Sequence, residues 1–140
     1  MPVEYVNEIS IDDYNSLRKS ADWREVSNRK AEIGLKNSIF IVVATVDKKP
    51  IGMARIVGDG GYFALIVDVV VLPQWQEKGI GKNLMKQIMA YVEQDIFEKE
   101  NVFVSLISAP DREIFYEQFG FKPCPDGDLM GTGMYQYICK

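Results

Sequence analysis

Gln76-Glu77-Lys78-Gly79-Ile80-Gly81 joins the strand-like run Phe63 to Leu72 to an amphipathic helix that begins near Gly79. A loop at such a junction suits a diphosphate. Gly79 and Gly81 remove side chains that would hold an anion away from the backbone, and they permit dihedrals that other residues resist. The first N–H groups of the helix have no intrahelical partner, and the aligned peptide dipoles make that end partly positive. A turn that only links strand to helix would carry the same glycines, so the rest of the chain must decide between the two.

At 140 residues and 47% hydrophobic, the chain has the size and apolar content of one domain spanning residues 1–140. No apolar stretch reaches the roughly 18 residues of a membrane span. Met1-Pro2-Val3-Glu4-Tyr5 lacks the basic start and apolar run of a secretion signal. The expectation is a soluble, cytoplasmic protein with no membrane partner. Cys124 and Cys139 form no CxxC or CxxH pattern, which argues against zinc and a disulfide framework, and both read as ordinary thiols. The chain has no histidine, which removes the commonest general base, the commonest zinc ligand and every Ser-His or Cys-His arrangement. Proton transfer must use carboxylates, tyrosine, lysine or water, and no metal is expected. A net charge of -4, from 20 acidic and 16 basic residues, gives no support to nucleic-acid binding and suits a cationic small substrate.

Along the chain, Val3 to Ile9 reads as a strand, and Ser10 or Asp12 caps a helix from Asp13 to Ala21. A second helix runs from about Ser27 to Lys36. Ile39 to Val46 and Ile51 to Val57 form an antiparallel hairpin across the turn Asp47-Lys48-Lys49-Pro50. After the turn Asp59-Gly60-Gly61, the apolar run Tyr62 to Leu72 reads as a central strand covered on both faces, with Asp68 its lone charge. From Ile80, Leu84, Ile88, Tyr91, Val92 and Ile96 keep one stripe on a core. Asn101 to Ser108 is a further strand. Asp111 caps a short helix from Arg112 to Phe119, which Gly120 ends. Phe121 begins a strand cut short by Pro123, and a loop from Pro125 to Gly133 leads to a final strand, Met134 to Cys139. The order describes a single α/β sheet with mixed strand directions.

Three features together resemble the GNAT superfamily of acyl-CoA-dependent N-acyltransferases. Gln76, Gly79 and Gly81 match its Gln/Arg-x-x-Gly-x-Gly/Ala loop; Asp68-Val69-Val70-Val71-Leu72-Pro73 is similar to its bulged strand; and Phe115-Tyr116-Glu117-Gln118-Phe119-Gly120-Phe121 is similar to its aromatic-Tyr-x-x-x-Gly-Phe segment. The closest look is to small bacterial-type members, although Val3 to Lys36 matches only by type of element. The resemblance implies a mixed, mostly antiparallel sheet of six to seven strands flanked by about four helices. It implies acetyl-CoA as co-substrate, a primary amine as acceptor, and weakly a homodimer.

On that resemblance, the backbone of Gln76, Glu77, Lys78, Gly79, Ile80 and Gly81 would hold the diphosphate, with Lys78 or Lys82 close by. Val69, Val70 and Val71 would line the pantetheine arm. Tyr116 would protonate the departing thiolate, since a phenol with a pKa near 10 keeps its proton at neutral pH; a tyrosine packed on the sheet is the structural alternative. Asp68 is the leading candidate for general base, because an unpaired carboxylate in an apolar strand is held toward its neutral form. It could equally accept hydrogen bonds at a bulge and serve structure, with ordered water removing the proton. Trp23, Arg24, Tyr62 and Phe63 could line an acceptor pocket or simply join the core. Neither cysteine lies in a motif, so direct transfer in a ternary complex is expected over a covalent route. A non-catalytic CoA-binding sensor and a protein or peptide N-acetyltransferase are the other functions weighed.

Overall fold

The structure, a computed structural model, describes residues 2–96, 100–125 and 130–138. It divides into two compact units, Met1–Ile107 and Ser108–Lys140.

The first unit holds one five-stranded sheet in the order β1 (Glu4–Val6), β2 (Phe40–Val46), β3 (Lys49–Gly58), β4 (Phe63–Val71) and β5 (Phe103–Leu106). Neighbours β1 to β4 pair antiparallel, and β4 pairs parallel with β5. The expected mixed, mostly antiparallel sheet is present, but with five strands among the described residues. Phe121 to Pro123 and residues 134–138 form no strand, and Cys139 lies outside the described residues. The middle strand is β3, with β4 one place from the edge. Nor is β4 covered throughout, since Phe63 and Leu65 are exposed.

The β2–β3 hairpin turns on two residues. Asp47 and Lys48 both have positive φ, 50° and 66°, so pairing resumes at Val46↔Lys49 and Pro50 falls inside β3, where a shift in register accommodates it. Positive φ at both central positions matches the right-handed twist of the flanking strands, which a four-residue turn ending at Pro50 would not require.

Helices cover both faces. Helix α1 (Ile11–Ser20) starts where Ser10 Oγ accepts the Asp13 N–H at 3.1 Å, with Asp12 and Asp13 in its first turn and Arg18 and Lys19 in its last. Helix α2 (Asn28–Lys36) is capped by Ser27. Tyr14, Leu17 and Ala31 from these helices pack on Val43, Met53 and Val70 of the sheet. The opposite face takes α3 (Ile80–Tyr91), whose Ile80, Leu84, Met85 and Ile88 are buried and whose Tyr91 ring stacks on Phe40 at 4.2 Å. Burying each of these aliphatic side chains contributes roughly 1.5–3 kcal/mol. A π-turn, Val92–Ile96, extends α3.

In the second unit, α4 (Glu113–Glu117) is shorter than expected. Arg112, not Asp111, occupies its N-cap and makes no side-chain cap bond, because Asp111 sits at φ 65°. Gly120, at φ 91°, closes the turn after the helix as expected.

Gly58 marks a close backbone approach where β3 turns into β4: a Cβ there would overlap the Phe63 carbonyl oxygen. Gly58→Ala should therefore destabilise the fold by roughly 2 kcal/mol. Urea denaturation measures this, and an unchanged midpoint would show that the approach is not constrained.

Candidate functional site: a parted sheet edge and the α3 N-terminus

Strands β4 and β5 pair only from Phe63↔Phe103 to Ile66↔Leu106. Beyond Ile66, β4 continues to Val71 with β3 its one paired strand among the described residues, so Val67 to Val71 present an edge from which β5 has departed. At this point β4 also gains a residue. Arg55 pairs with Val67 and Met53 with Val70, so Asp68 and Val69 together face Ala54. Asp68 takes φ 54°, the left-handed region, which costs an L-residue about 1–2 kcal/mol.

Asp68 is not a lone carboxylate in its apolar strand. The Asp68 side chain is 7% exposed and fully engaged. Arg18 Nη1 donates to Oδ1 at 2.7 Å, Arg55 Nε donates to Oδ2 at 2.7 Å, and the Tyr14 hydroxyl donates to Oδ2 at 2.6 Å. Charge-assisted bonds of this kind compensate burial of the carboxylate and the unusual backbone. Arg55 reaches further, donating through Nη1 to Ser38 Oγ at 3.1 Å and to the Gly34 carbonyl at 3.4 Å. Burial and the hydrogen bond to Asp68 push the Tyr14 phenol upward. The Arg55 guanidinium is also raised: burial lowers it, but the bond to Asp68 and its charge outweigh that.

After Val71 the chain passes through a 3-10 turn, Pro73–Trp75, into the glycine loop. The Gln76 side chain folds back, its Nε2 donating to the Val71 carbonyl at 3.0 Å, and its backbone N–H bonds Pro73 O at 3.3 Å. Gln76 therefore ties loop to strand, and its N–H is already used, contrary to the expected role on a diphosphate. Glu77 (φ 62°) and Gly79 (φ 81°) take left-handed conformations that bend the loop into the helix. The first α-helical bond of α3 runs from the Asn83 N–H to Gly79 O at 3.0 Å. The N–H groups of Gly79, Ile80, Gly81 and Lys82 lie ahead of that bond and have no intrahelical acceptor. The N-cap lacks a side-chain bond and the first turn lacks an acid, so no side chain among the described residues caps this end. Lys78 and Lys82 are exposed beside it.

The four proposed acceptor residues are not gathered at one place. Trp23 packs against the α1 core and carries the Arg18 guanidinium over its ring at 5.4 Å, so one ring face is already taken. Arg24 follows it, its carbonyl accepting from Arg18 Nη2 at 3.0 Å. Tyr62 and Phe63 sit at the other end of β4, edge-to-face with one another at 5.0 Å and, through Phe63, with Phe103 at 5.8 Å. Phe63 and Asp68 are five residue steps apart along the strand, roughly 16 Å.

Tyr116 belongs to the second unit. Its ring lies edge-on to Phe115 at 5.0 Å and to Phe121 at 6.3 Å, and burial pushes its phenol above the ordinary value while Arg112 pulls the other way. Residues that sequence reasoning missed are Tyr14, Arg18 and Arg55; the signal available was a single acid in an apolar strand, which requires cationic partners somewhere. Among the described residues no group of acids or cysteines could hold a metal, and no helix is long and apolar enough to cross a membrane.

Known proteins resemble this chain in sequence and fold. A family model described as an acetyltransferase (GNAT) domain matches residues 37–123. The N-acetyltransferase ycf52 of Pyropia yezoensis is 33% identical over 134 residues, 92% of this chain and 72% of that protein. A crystal structure of a probable acetyltransferase from Staphylococcus aureus, 33% identical, superposes with a TM-score of 0.86 over 98% of this chain and 100% of that one. A GNAT-family acetyltransferase from Streptococcus pneumoniae, 26% identical, gives 0.76 over 99% and 98%. The chain belongs to the GNAT family of N-acetyltransferases.

Proposed function

We propose that residues 1–140 act as one catalytic domain that transfers the acetyl group of acetyl-CoA directly to a small primary amine. One observation carries this reading: the edge of β4 that β5 leaves runs, within a few residues, into a helix N-terminus whose first N–H groups have no intrahelical acceptor. A pantetheine arm bonds to a strand edge as another strand would, and a diphosphate suits the N–H groups of residues 79–82 and the helix dipole. Lys78 and Lys82 add positive charge at the same end.

In this mechanism the enzyme's largest contribution is proximity, holding amine and thioester in attack geometry. Backbone N–H groups on the parted edge polarise the thioester carbonyl. The neutral amine nitrogen forms the new bond to the acetyl carbon, the carbon–sulfur bond breaks, Tyr116 gives its proton to the sulfur, and the proton that the nitrogen sheds passes through water and restores the phenol. Its raised pKa keeps that proton in place at neutral pH. No enzyme-bound acyl intermediate is required. Cys124 is exposed, and no histidine exists to activate it.

Calorimetry should record binding of acetyl-CoA and of CoA. In Gly79→Val the fold should survive while affinity falls about tenfold, because a β-branched residue resists φ 81°. Wild-type protein that takes up neither ligand would remove the reading altogether.

Thiol release measured with acetyl-CoA and a panel of amines should drop by about 100-fold or more at saturation in Tyr116→Phe. A phenol raised by burial stays protonated until the pH climbs past its ordinary value, so wild-type kcat should decline only above about pH 10, and the variant should lack that limb. Release with peptides but with no small amine would move the acceptor to proteins. Binding without any release would make the protein a sensor.

A further inference from the structure

We infer that Arg18, Arg55 and Tyr14 are positioning residues for acetyl transfer, which hold the Asp68 bulge in the shape that keeps the β4 edge open, and that Asp68 is the tie they grip and not the base. The inference rests on the acetyl-CoA site proposed above. Three elements converge on one carboxylate: α1 supplies Tyr14 and Arg18, and β3 supplies Arg55. Through Ser38 and the Gly34 carbonyl, Arg55 also fastens the end of α2. The three donors occupy both carboxylate oxygens of a side chain that is 7% exposed, which leaves little room for an acceptor ammonium to reach it.

The tie matters because of where it sits. Ile66 is the last β4 residue paired with β5, and the added residue follows within two positions. If the bulge relaxed to regular strand, every side chain from Val69 to Val71 would change face, Val70 would leave the core it shares with Tyr14 and Met53, and the edge would offer different backbone groups to a ligand. Asp68 resists that change only while its partners hold it at φ 54°.

The test uses the full chain and compares Asp68→Asn, Arg55→Met, Arg55→Lys and Tyr14→Phe by acetyl-CoA calorimetry, by kcat and KM, and by pH–rate profile. Circular dichroism reports whether each variant is folded. Asp68→Asn and Arg55→Met should weaken acetyl-CoA binding about tenfold or more, with a smaller fall in kcat at saturation and with the acid limb of the pH profile unmoved. Arg55→Lys should recover part of that loss, since an ammonium can meet Asp68 but cannot also reach Ser38 and Gly34 in the guanidinium's fork. Should either of the first two variants fail to fold, Tyr14→Phe decides, because it removes one hydroxyl and leaves the ring in the core; a few-fold weaker affinity is expected. If Asp68→Asn instead abolishes turnover and the acid limb while binding acetyl-CoA as wild type does, Asp68 is the base and the inference fails. Variants that all bind like wild type would also overturn it while leaving the acetyl-CoA site standing, whereas a wild-type protein that binds no acetyl-CoA overturns both.

Discussion

One added residue in β4, held by a buried carboxylate, organises the first unit. Along β4, Ile66 pairs with Ile56 and faces α3, so simple alternation would send Asp68 toward α3 as well. That helix offers Ile80, Leu84, Met85 and Ile88, none of which can bond a carboxylate. The bulge turns Asp68 to the other face, where Tyr14, Arg18 and Arg55 wait. The same turn sends Val70 into the α1 core. The polar tie and the apolar packing therefore depend on a single irregularity. Its left-handed backbone is tolerable because the bonds it makes possible are charge-assisted and largely shielded from water.

The two long helices of the first unit end differently, and the contrast bears on function. The chain itself satisfies the start of α1, with the Ser10 cap and the acids Asp12 and Asp13. At α3 the cap is a glycine, the first turn has no acid, and the preceding residues turn their side chains elsewhere, Gln76 to the strand it has just left. A protein with net charge -4 had acids to spare for that position. Leaving it empty costs some helix stability and keeps a partly positive site open beside exposed lysines.

Periodicity and turn chemistry made much of this legible in the sequence. The stripe Leu84, Ile88 and Val92, the capping Ser10 and the glycine loop are local patterns found where expected, and the β2–β3 hairpin is present with a tighter turn than expected. The partners of Asp68 were not legible, since Arg18 and Tyr14 lie 50 and 54 residues away and only the packing of α1 on the sheet brings them near. Tyr62 and Phe63 looked like pocket residues because aromatic type carries no information about which end of a strand a side chain occupies. After Gly120, the prolines and glycines gave no period from which the absence of strand could be read, and β-rich composition in Met134 to Ile138 was not enough to make one.

The proton inventory then constrains the chemistry. An ammonium acceptor must lose a proton before its nitrogen can attack, and the chain has no histidine to take it. Asp68 is engaged by three donors, and burial has shifted the phenols of Tyr14 and Tyr116 toward holding protons instead of accepting them. Buried groups that retain protons are suited to donation, which is what a departing thiolate requires. In the reaction proposed above, a water-borne route for the amine proton works best when the acceptor already spends much of its time neutral. That proposed route would favour an acceptor amine of low basicity, or one whose ammonium is destabilised on entering the site, over a strongly basic polyamine.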